Sequence, residues 1–284
     1  MCTRFSPCAA GFGESWCRLP PARDDTLRKL AFITGATGGI GQAIALRLLQ
    51  ADYELALVAR GADSVHDWAR ANGVAPLRYR VYVADVAVIE SIVSAAAACI
   101  SNQGLPDLVV AGAGISIGMD TAVRADLDVM ARVFAVNNVG LAATFHPFVA
   151  PMMARGSGML VGLASVNGIR GFPGHGAYCS SKAAVISYCE SLRGELRSSG
   201  VHVLTVCPGY IDTALTRGNA YSMPFLMSAE QFAERFLRAV QAGARYCVIP
   251  WQMAVVAKLL RLLPNALFDR MFANRPRKRR NAEP

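Results

Sequence analysis

Between Leu30 and Ile249 the chain alternates short, apolar, β-branched runs with longer stretches whose apolar residues recur every three to four positions. The short runs predict strands at 30–34, 54–59, 78–83, 107–111, 158–164, 201–207 and 246–249. Continuously apolar runs of this length suit strands covered on both faces. The longer stretches predict helices near 40–51, 63–72, 87–101, 125–154, 177–199 and 229–242. Strand and helix in regular alternation imply an α/β fold, a Rossmann-like doubly wound parallel sheet of about seven strands with helices on both faces. Such a sheet binds its ligand at the carboxyl ends of its strands. Residues just after strands therefore carry the most functional weight.

No repeat or long linker interrupts the alternation, so residues 29–250 are expected to form one catalytic domain. Residues 1–28 hold Arg4, Arg18 and Arg23 but no apolar core of signal-peptide length, and read as a disordered leader. Residues 251–284 read as a helical extension: two short helices around Pro264, then the basic run from Arg275 to Arg280. The expected role is to cover the sheet edge or form an oligomer contact. The same pattern admits peripheral contact with an anionic membrane, or a lipid-accepting pocket. Met253 to Leu263 is interrupted by Lys258 and Arg261 and is too short to cross a bilayer.

With 284 residues, 53% hydrophobic and 17% charged, the chain can bury a sizeable core, which excludes disorder of the whole. The net charge of +9 is misleading, because the last ten residues hold +4 of it and the first 28 hold +1. The remaining charge, about +4, is too small to argue for a nucleic-acid face. Eight cysteines without CxxC pairs read as reduced thiols of a cytoplasmic protein. The four histidines lack ligand spacing, so no catalytic metal is expected.

After the first strand comes Thr34-Gly35-Ala36-Thr37-Gly38-Gly39-Ile40-Gly41, opening directly into a helical run. Glycines at a strand-to-helix turn let backbone amides approach a pyrophosphate, whose charge then sits on the helix N-terminus. Gly35, Thr37, Gly39, Ile40 and Gly41 are the candidate cofactor contacts there. The second strand ends at Arg60, where an NAD-binding fold often has a carboxylate for the ribose 2′-hydroxyl. A guanidinium suits a 2′-phosphate, so NADP(H) is favoured over NAD(H).

Ser165 follows an apolar run, Tyr178 lies thirteen residues beyond it, and Lys182 is one helical turn further on. The four-residue spacing puts Tyr178 and Lys182 on one helix face. A tyrosine with an ordinary pKa of about 10 is a poor proton-transfer group near neutrality, and an adjacent ammonium favours its phenolate. Ser165 can then hydrogen-bond the substrate oxygen.

With these motifs in place, residues 29–249 resemble the short-chain dehydrogenase/reductase family, in its compact single-domain branch. The TGxxxGxG turn corresponds to Thr34 through Gly41 and the YxxxK motif to Tyr178 through Lys182. The resemblance implies adenine contacts at Asp85 and Val86, a cofactor path past Ala113 and Gly114, and a fourth catalytic residue at Asn137, holding a relay water near Lys182. It also implies cofactor contacts at Pro208 and Gly209, with Ile211 and Thr213 near the nicotinamide amide. The tetrad is then Asn137, Ser165, Tyr178 and Lys182. One departure is clear: the family's Asn-Asn-Ala-Gly reads Ala111-Gly112-Ala113-Gly114, without the asparagine that usually braces the sheet. The implied activity is NADP(H)-dependent ketone reduction or alcohol oxidation by a homodimer or homotetramer. The Leu-, Met-, Phe- and Tyr-bearing stretch 214–227 suggests an apolar substrate. Two alternatives stay open: a cofactor-binding regulator without catalysis, and a serine hydrolase using Gly114-Ile115-Ser116-Ile117-Gly118 as a nucleophile elbow.

Overall fold

A seven-stranded, entirely parallel sheet in the order β3-β2-β1-β4-β5-β6-β7 organises the chain. The computed structural model describes residues 28–217, 222–274, 276–278 and 280. The expected leader therefore lies outside the described residues apart from Arg28. Strand β1 (Leu30–Thr34) leads through α1 (Gly39–Gln50) to β2 (Glu54–Ala59), and α2 (Asp63–Ala71) leads to β3 (Tyr79–Val83). Then α3 (Ile89–Gln103) crosses back to β4 (Leu108–Ala111) on the other side of β1. Helices α4 (Asp126–Phe134) and α5 (Gly140–Arg155) precede β5 (Gly158–Leu163), and α6 (Gly176–Glu195) precedes β6 (Val201–Pro208). A short α7 (Ala214–Arg217) and α8 (Ala229–Gln241) lead to β7 (Tyr246–Ile249).

Alternation along each strand sends side chains into two separate cores. Ala31 and Ile33 of β1 face a core made with α1, α2 and α8, while Leu30 and Phe32 face one made with α3, α5 and α6. Phe32 meets Phe148 of α5 with ring centroids 4.9 Å apart. Helix α8 starts where Ser228 accepts a hydrogen bond from Gln231 N, a serine N-cap that ends the preceding loop.

The predicted helix over 125–154 is interrupted. Residues Ala135–Val139 form a π turn between α4 and α5, and it turns Asn137 fully inward. By length and composition the run Asp126–Arg155 could cross a bilayer, yet Phe145, Phe148 and Met152 are completely buried in the protein core.

Beyond the sheet, α9 (Trp251–Leu262) and α10 (Asn265–Phe272) pack beside the segment after β5. Arg170 fastens them there. Its guanidinium donates to the carbonyls of Leu260 and Leu263, bonds Asn265, and stacks 3.9 Å over the Phe268 ring. A cation on the last carbonyls of a helix satisfies acceptors that have no partner within it.

Candidate active site

The strand order reverses between β1 and β4, and the crevice between their carboxyl ends is where a doubly wound sheet takes its ligand. Gly35 turns there with φ +74, and a Cβ on it would lie 2.8 Å from Ala113 N and from the Gly112 carbonyl. A Cβ on Gly41 would lie 2.1 Å from the Gly35 carbonyl oxygen. Both positions thus exclude any side chain. No side chain caps α1 and no acidic residue stands in its first turn, so the amides of Gly39, Ile40 and Gly41 are open to an anion. Thr37 lies exposed at the top of the turn. Where the fourth-strand motif lacks its asparagine, Thr34 Oγ1 ties the segment to β1, accepting from Gly112 N at 3.1 Å and Ala113 N at 3.3 Å.

Other expected cofactor contacts line the same edge. Arg60 is exposed after β2 and pairs with no carboxylate among the described residues. Asp85 closes a local turn by accepting from Ala87 N at 2.9 Å, and Val86 touches the helical segment at Gly140, where a Cβ would lie 2.6 Å from the Val86 oxygen. After β6, Gly209 N donates to Ile249 O at 2.7 Å, following Pro208. Ile211 pairs with Met227, and Thr213 closes over the glycine turn, its methyl 2.9 Å from where a Cβ of Gly39 would stand. Arg60, Asp85 and Gly209 all follow the carboxyl ends of their strands, the side of such a sheet at which a ligand is taken.

The four expected catalytic residues come from three elements: Asn137 and Lys182 approach each other beside Gly114, and Ser165 and Tyr178 line one pocket. Tyr178 and Lys182 share the first turns of α6, with Lys182 Nζ 5.9 Å from the Tyr178 ring centre. Lys182 is buried and donates to Leu163 O at 2.7 Å, which fixes its reach. Burial pushes its ammonium down to about 8, opposed by the nearby Cys207 and Cys189. Ser165 caps a 3₁₀ turn by accepting from Asn167 N at 3.2 Å, so its own hydroxyl proton is left to donate elsewhere. A Cβ on Gly114 would stand 3.3 Å from Asn137 Oδ1 and 3.4 Å from Lys182 Nζ, so glycine there keeps the meeting point open.

Asn137 is locked from both sides. Its Oδ1 accepts from Ile115 N at 2.9 Å, and its Nδ2 donates to Ile115 O at 3.0 Å and to Ser181 Oγ at 2.9 Å. Both amide hydrogens are therefore engaged within the protein, and the side chain ties the segment after β4 to α6. The family resemblance, not spacing, pointed to Asn137 near Lys182; the π turn that aims it had no sequence signal.

A small pocket of about 50 Å³ is lined by Ser116, Ser165, His175, Tyr178, Tyr210 and Lys278, among others. It adjoins a cavity of about 640 Å³ whose walls are mostly apolar, from Ile169 and Phe172 to Met253, Val256, Leu260 and Phe272. Val166, Asn167 and Tyr210 line both. The stretch 214–227, expected to shape the substrate site, contributes Thr216, Ser222 and Pro224, while residues 218–221 lie outside the described residues. The elbow required of a serine hydrolase does not form. Ser116 sits in a segment without helix that runs from Gly112 to Asp120, and the next helix starts at Asp126. The sequence admitted a lipid-accepting pocket within 251–284, and α9 and α10 do line the large cavity; Lys278 was not singled out, because its pocket neighbours Ser165 and Tyr178 lie a hundred residues or more away along the chain.

Comparison with known proteins agrees with this geometry. The model of the short chain dehydrogenase family matches residues 29–222. An uncharacterized oxidoreductase of Myxococcus xanthus is 36% identical over 246 residues, covering 85% of this chain and 95% of that one. The 2-(R)-hydroxypropyl-CoM dehydrogenase of Xanthobacter autotrophicus is 33% identical over 198 residues, covering 67% and 78%. Among solved structures, ElxO with NADP bound superposes with a TM-score of 0.69 at 23% identity, covering 75% of this chain and 91% of its own, a likeness of fold.

Proposed function

The chain belongs to the short-chain dehydrogenase family of oxidoreductases, and on that premise we propose an NADPH-preferring enzyme for an apolar ketone or the matching secondary alcohol. The observation that carries the substrate class is the shared wall of the two cavities. A substrate oxygen placed between Ser165 and Tyr178 leaves its carbon body to the 640 Å³ apolar cavity beside it. That volume is within the range of small-molecule sites. Nicotinamide, when bound, supplies or accepts the hydride.

The chain's own residues do the rest. Ser165 donates a hydrogen bond to the substrate oxygen and fixes its position. Tyr178 gives that oxygen a proton in reduction and removes it in oxidation. Lys182, anchored on Leu163 O, keeps a positive charge beside the phenol and eases its ionisation. Asn137 holds the backbone that faces them. A panel of aliphatic, aromatic and polycyclic ketones and alcohols, followed by cofactor absorbance with NADPH and NADH, tests this reading. Turnover confined to polar sugars or to NADH overturns it.

Cofactor preference rests on Arg60. A guanidinium on a 2′-phosphate makes charge-assisted hydrogen bonds worth about 1.5–3 kcal/mol. Arg60→Ala is therefore expected to weaken NADPH binding by about 10- to 100-fold and leave NADH within about twofold. Fluorescence titration with both nucleotides checks this, and equal losses sink the assignment.

A membrane contact is part of the proposal, supported by the outer face of α9. Trp251, Val255, Leu259 and Leu262 recur there at helical spacing with 67%, 48%, 61% and 80% of their surfaces exposed. Exposed Lys258 and Arg261 are interspersed, and Leu267 and Met271 extend the patch on α10. An apolar helix face with basic flanks suits an anionic bilayer. The double substitution Trp251→Glu, Leu259→Glu is expected to reduce binding to phosphatidylglycerol vesicles by about tenfold or more. Sedimentation with vesicles checks this; unchanged binding, or none by the parent chain, removes the membrane reading. Assembly as a homodimer or homotetramer is proposed as well, with exposed Leu127 on α4, Val139 on the π turn and Met153 on α5 available to a partner copy.

A further inference from the structure

Beyond α10, the described residues 276–278 and 280 lie along the catalytic pocket as a strap, and two ion pairs hold them. Arg280 grips Asp126 with two hydrogen bonds, Nε to Oδ2 at 2.7 Å and Nη2 to Oδ1 at 3.1 Å. Arg277 reaches Asp120 at 3.3 Å. Asp126 is almost fully buried and also accepts from Asp120 N at 2.7 Å, and the Arg280 hydrogen bonds hold its carboxyl below the usual range. A bidentate guanidinium on a buried carboxylate is among the stronger polar contacts, because two charge-assisted hydrogen bonds act in parallel, here from a half-exposed Arg280. The stem of Arg277 lies where Gly174 has no side chain; a Cβ there would stand 2.9 Å from Arg277 Cβ.

Lys278 lies between the two pins and lines the pocket of Ser165, His175 and Tyr178. No carboxylate among the described residues pairs with it. Partial burial alone pushes its ammonium down from the ordinary lysine value, the mark of a cation with no counter-charge. Its neighbours Asn274 and Pro276 line the large apolar cavity, so the strap runs along both parts of the substrate space.

We propose that Lys278 is a specificity-determining residue that recognises a carboxylate on the substrate, close to the reacting carbon, while the substrate's apolar body fills the cavity between α9, α10 and the segment after Ser165. The natural substrate class is then an oxo or hydroxy acid with a long apolar chain. A carboxylate is preferred over a phosphate because Lys278 is the one lysine or arginine among the residues lining this pocket of about 50 Å³, so it matches a single negative charge. The proposal rests on the oxidoreductase reading for its chemistry, but not for its binding.

The test therefore has a binding arm and a turnover arm. In the first, decanoate and methyl decanoate are titrated by calorimetry into the full chain saturated with NADP⁺. The parent chain is expected to bind the acid about tenfold or more tightly than the ester, Lys278→Met to bind both equally, and Lys278→Arg to keep most of the preference. In the second, 2-oxodecanoate and 4-oxodecanoate are compared with their methyl esters. Lys278→Met should lower kcat/KM for the acids by about tenfold or more, with the esters and the KM for NADPH within about twofold. Equal affinity of the parent chain for acid and ester, or an acid preference that survives Lys278→Met, overturns the proposal. Selective decanoate binding without any turnover keeps the Lys278 site and refutes the oxidoreductase reading instead.

Discussion

Tyr178→Phe is expected to lower kcat by about 10²- to 10⁴-fold while the affinity for NADPH changes by less than about twofold. The substitution removes one hydroxyl and keeps the ring that stands near Lys182, so packing at the start of α6 is conserved. Lys182 remains fixed, since its anchor is the Leu163 carbonyl and not the phenol. Ser165 still positions the substrate oxygen, because its geometry is set by Asn167 N. The proton source alone is lost. Stopped-flow oxidation of NADPH with the best ketone of the panel, beside fluorescence titration of the cofactor, measures both quantities. If cofactor binding falls with turnover, Tyr178 is a binding residue and the catalytic assignment is wrong. A regulator that only binds cofactor would give no turnover in the parent chain to begin with.

Much of this site could be read from the sequence because its parts are local. The glycine turn is eight consecutive residues and can be read as one motif, with Gly41 pressed against Gly35 inside it, although Gly35 and Gly39 also abut the distant Ala113 and Thr213. Tyr178 and Lys182 are four apart on one helix, and period alone brings them together. The seven strands were legible for a related reason: a strand buried on both faces must be apolar throughout, as β1 and β4 are.

What stayed hidden depends on contacts between distant segments. The π turn at Ala135–Val139 has an ordinary helical composition, and Asn137 points inward because Ile115 and Ser181 take all its hydrogen bonds. Thr34 braces the segment after β4 through amides nearly eighty residues away. The basic run at the C-terminus read as undifferentiated charge, whereas the fold gives its members different tasks. Arg277 and Arg280 hold the strap and Lys278 faces the pocket. The large cavity lies where Arg170 and Phe172 hold α9 and α10 against the segment that follows Ser165.

Lys182→Met is expected to lose turnover by several orders of magnitude, like other losses of a group needed for proton transfer, and yet to change stability in a pH-dependent way that favours the variant near neutrality. Burial brings the folded-state value of Lys182 to about 8, against an ordinary lysine value of about 10.5. Below pH 8 both folded and unfolded chains carry the proton, and the full cost of a buried charge is present. Between about 8 and 10.5 the folded chain has released the proton while the unfolded chain still binds it, so stability rises with pH. Above that range the cost is gone. At 1.36 kcal/mol for each pKa unit the swing is of order 3 kcal/mol. Methionine has a similar length and no charge, but it leaves Leu163 O without its donor, an offset of about 1–3 kcal/mol that does not vary with pH. Cys189, pushed up by burial to about 12, and Cys207, also raised, resist ionisation in the folded chain and oppose the rise, but they are present in both proteins and largely cancel in the difference. The quantity to measure is the difference in urea-unfolding free energy between the two proteins at pH 7, 8.5 and 10. It should move toward the parent chain by about 2–3 kcal/mol across that range. A difference that stays flat would mean that Lys182 is not held as a costly buried ammonium, and the tuning of Tyr178 by that charge would lose its physical basis.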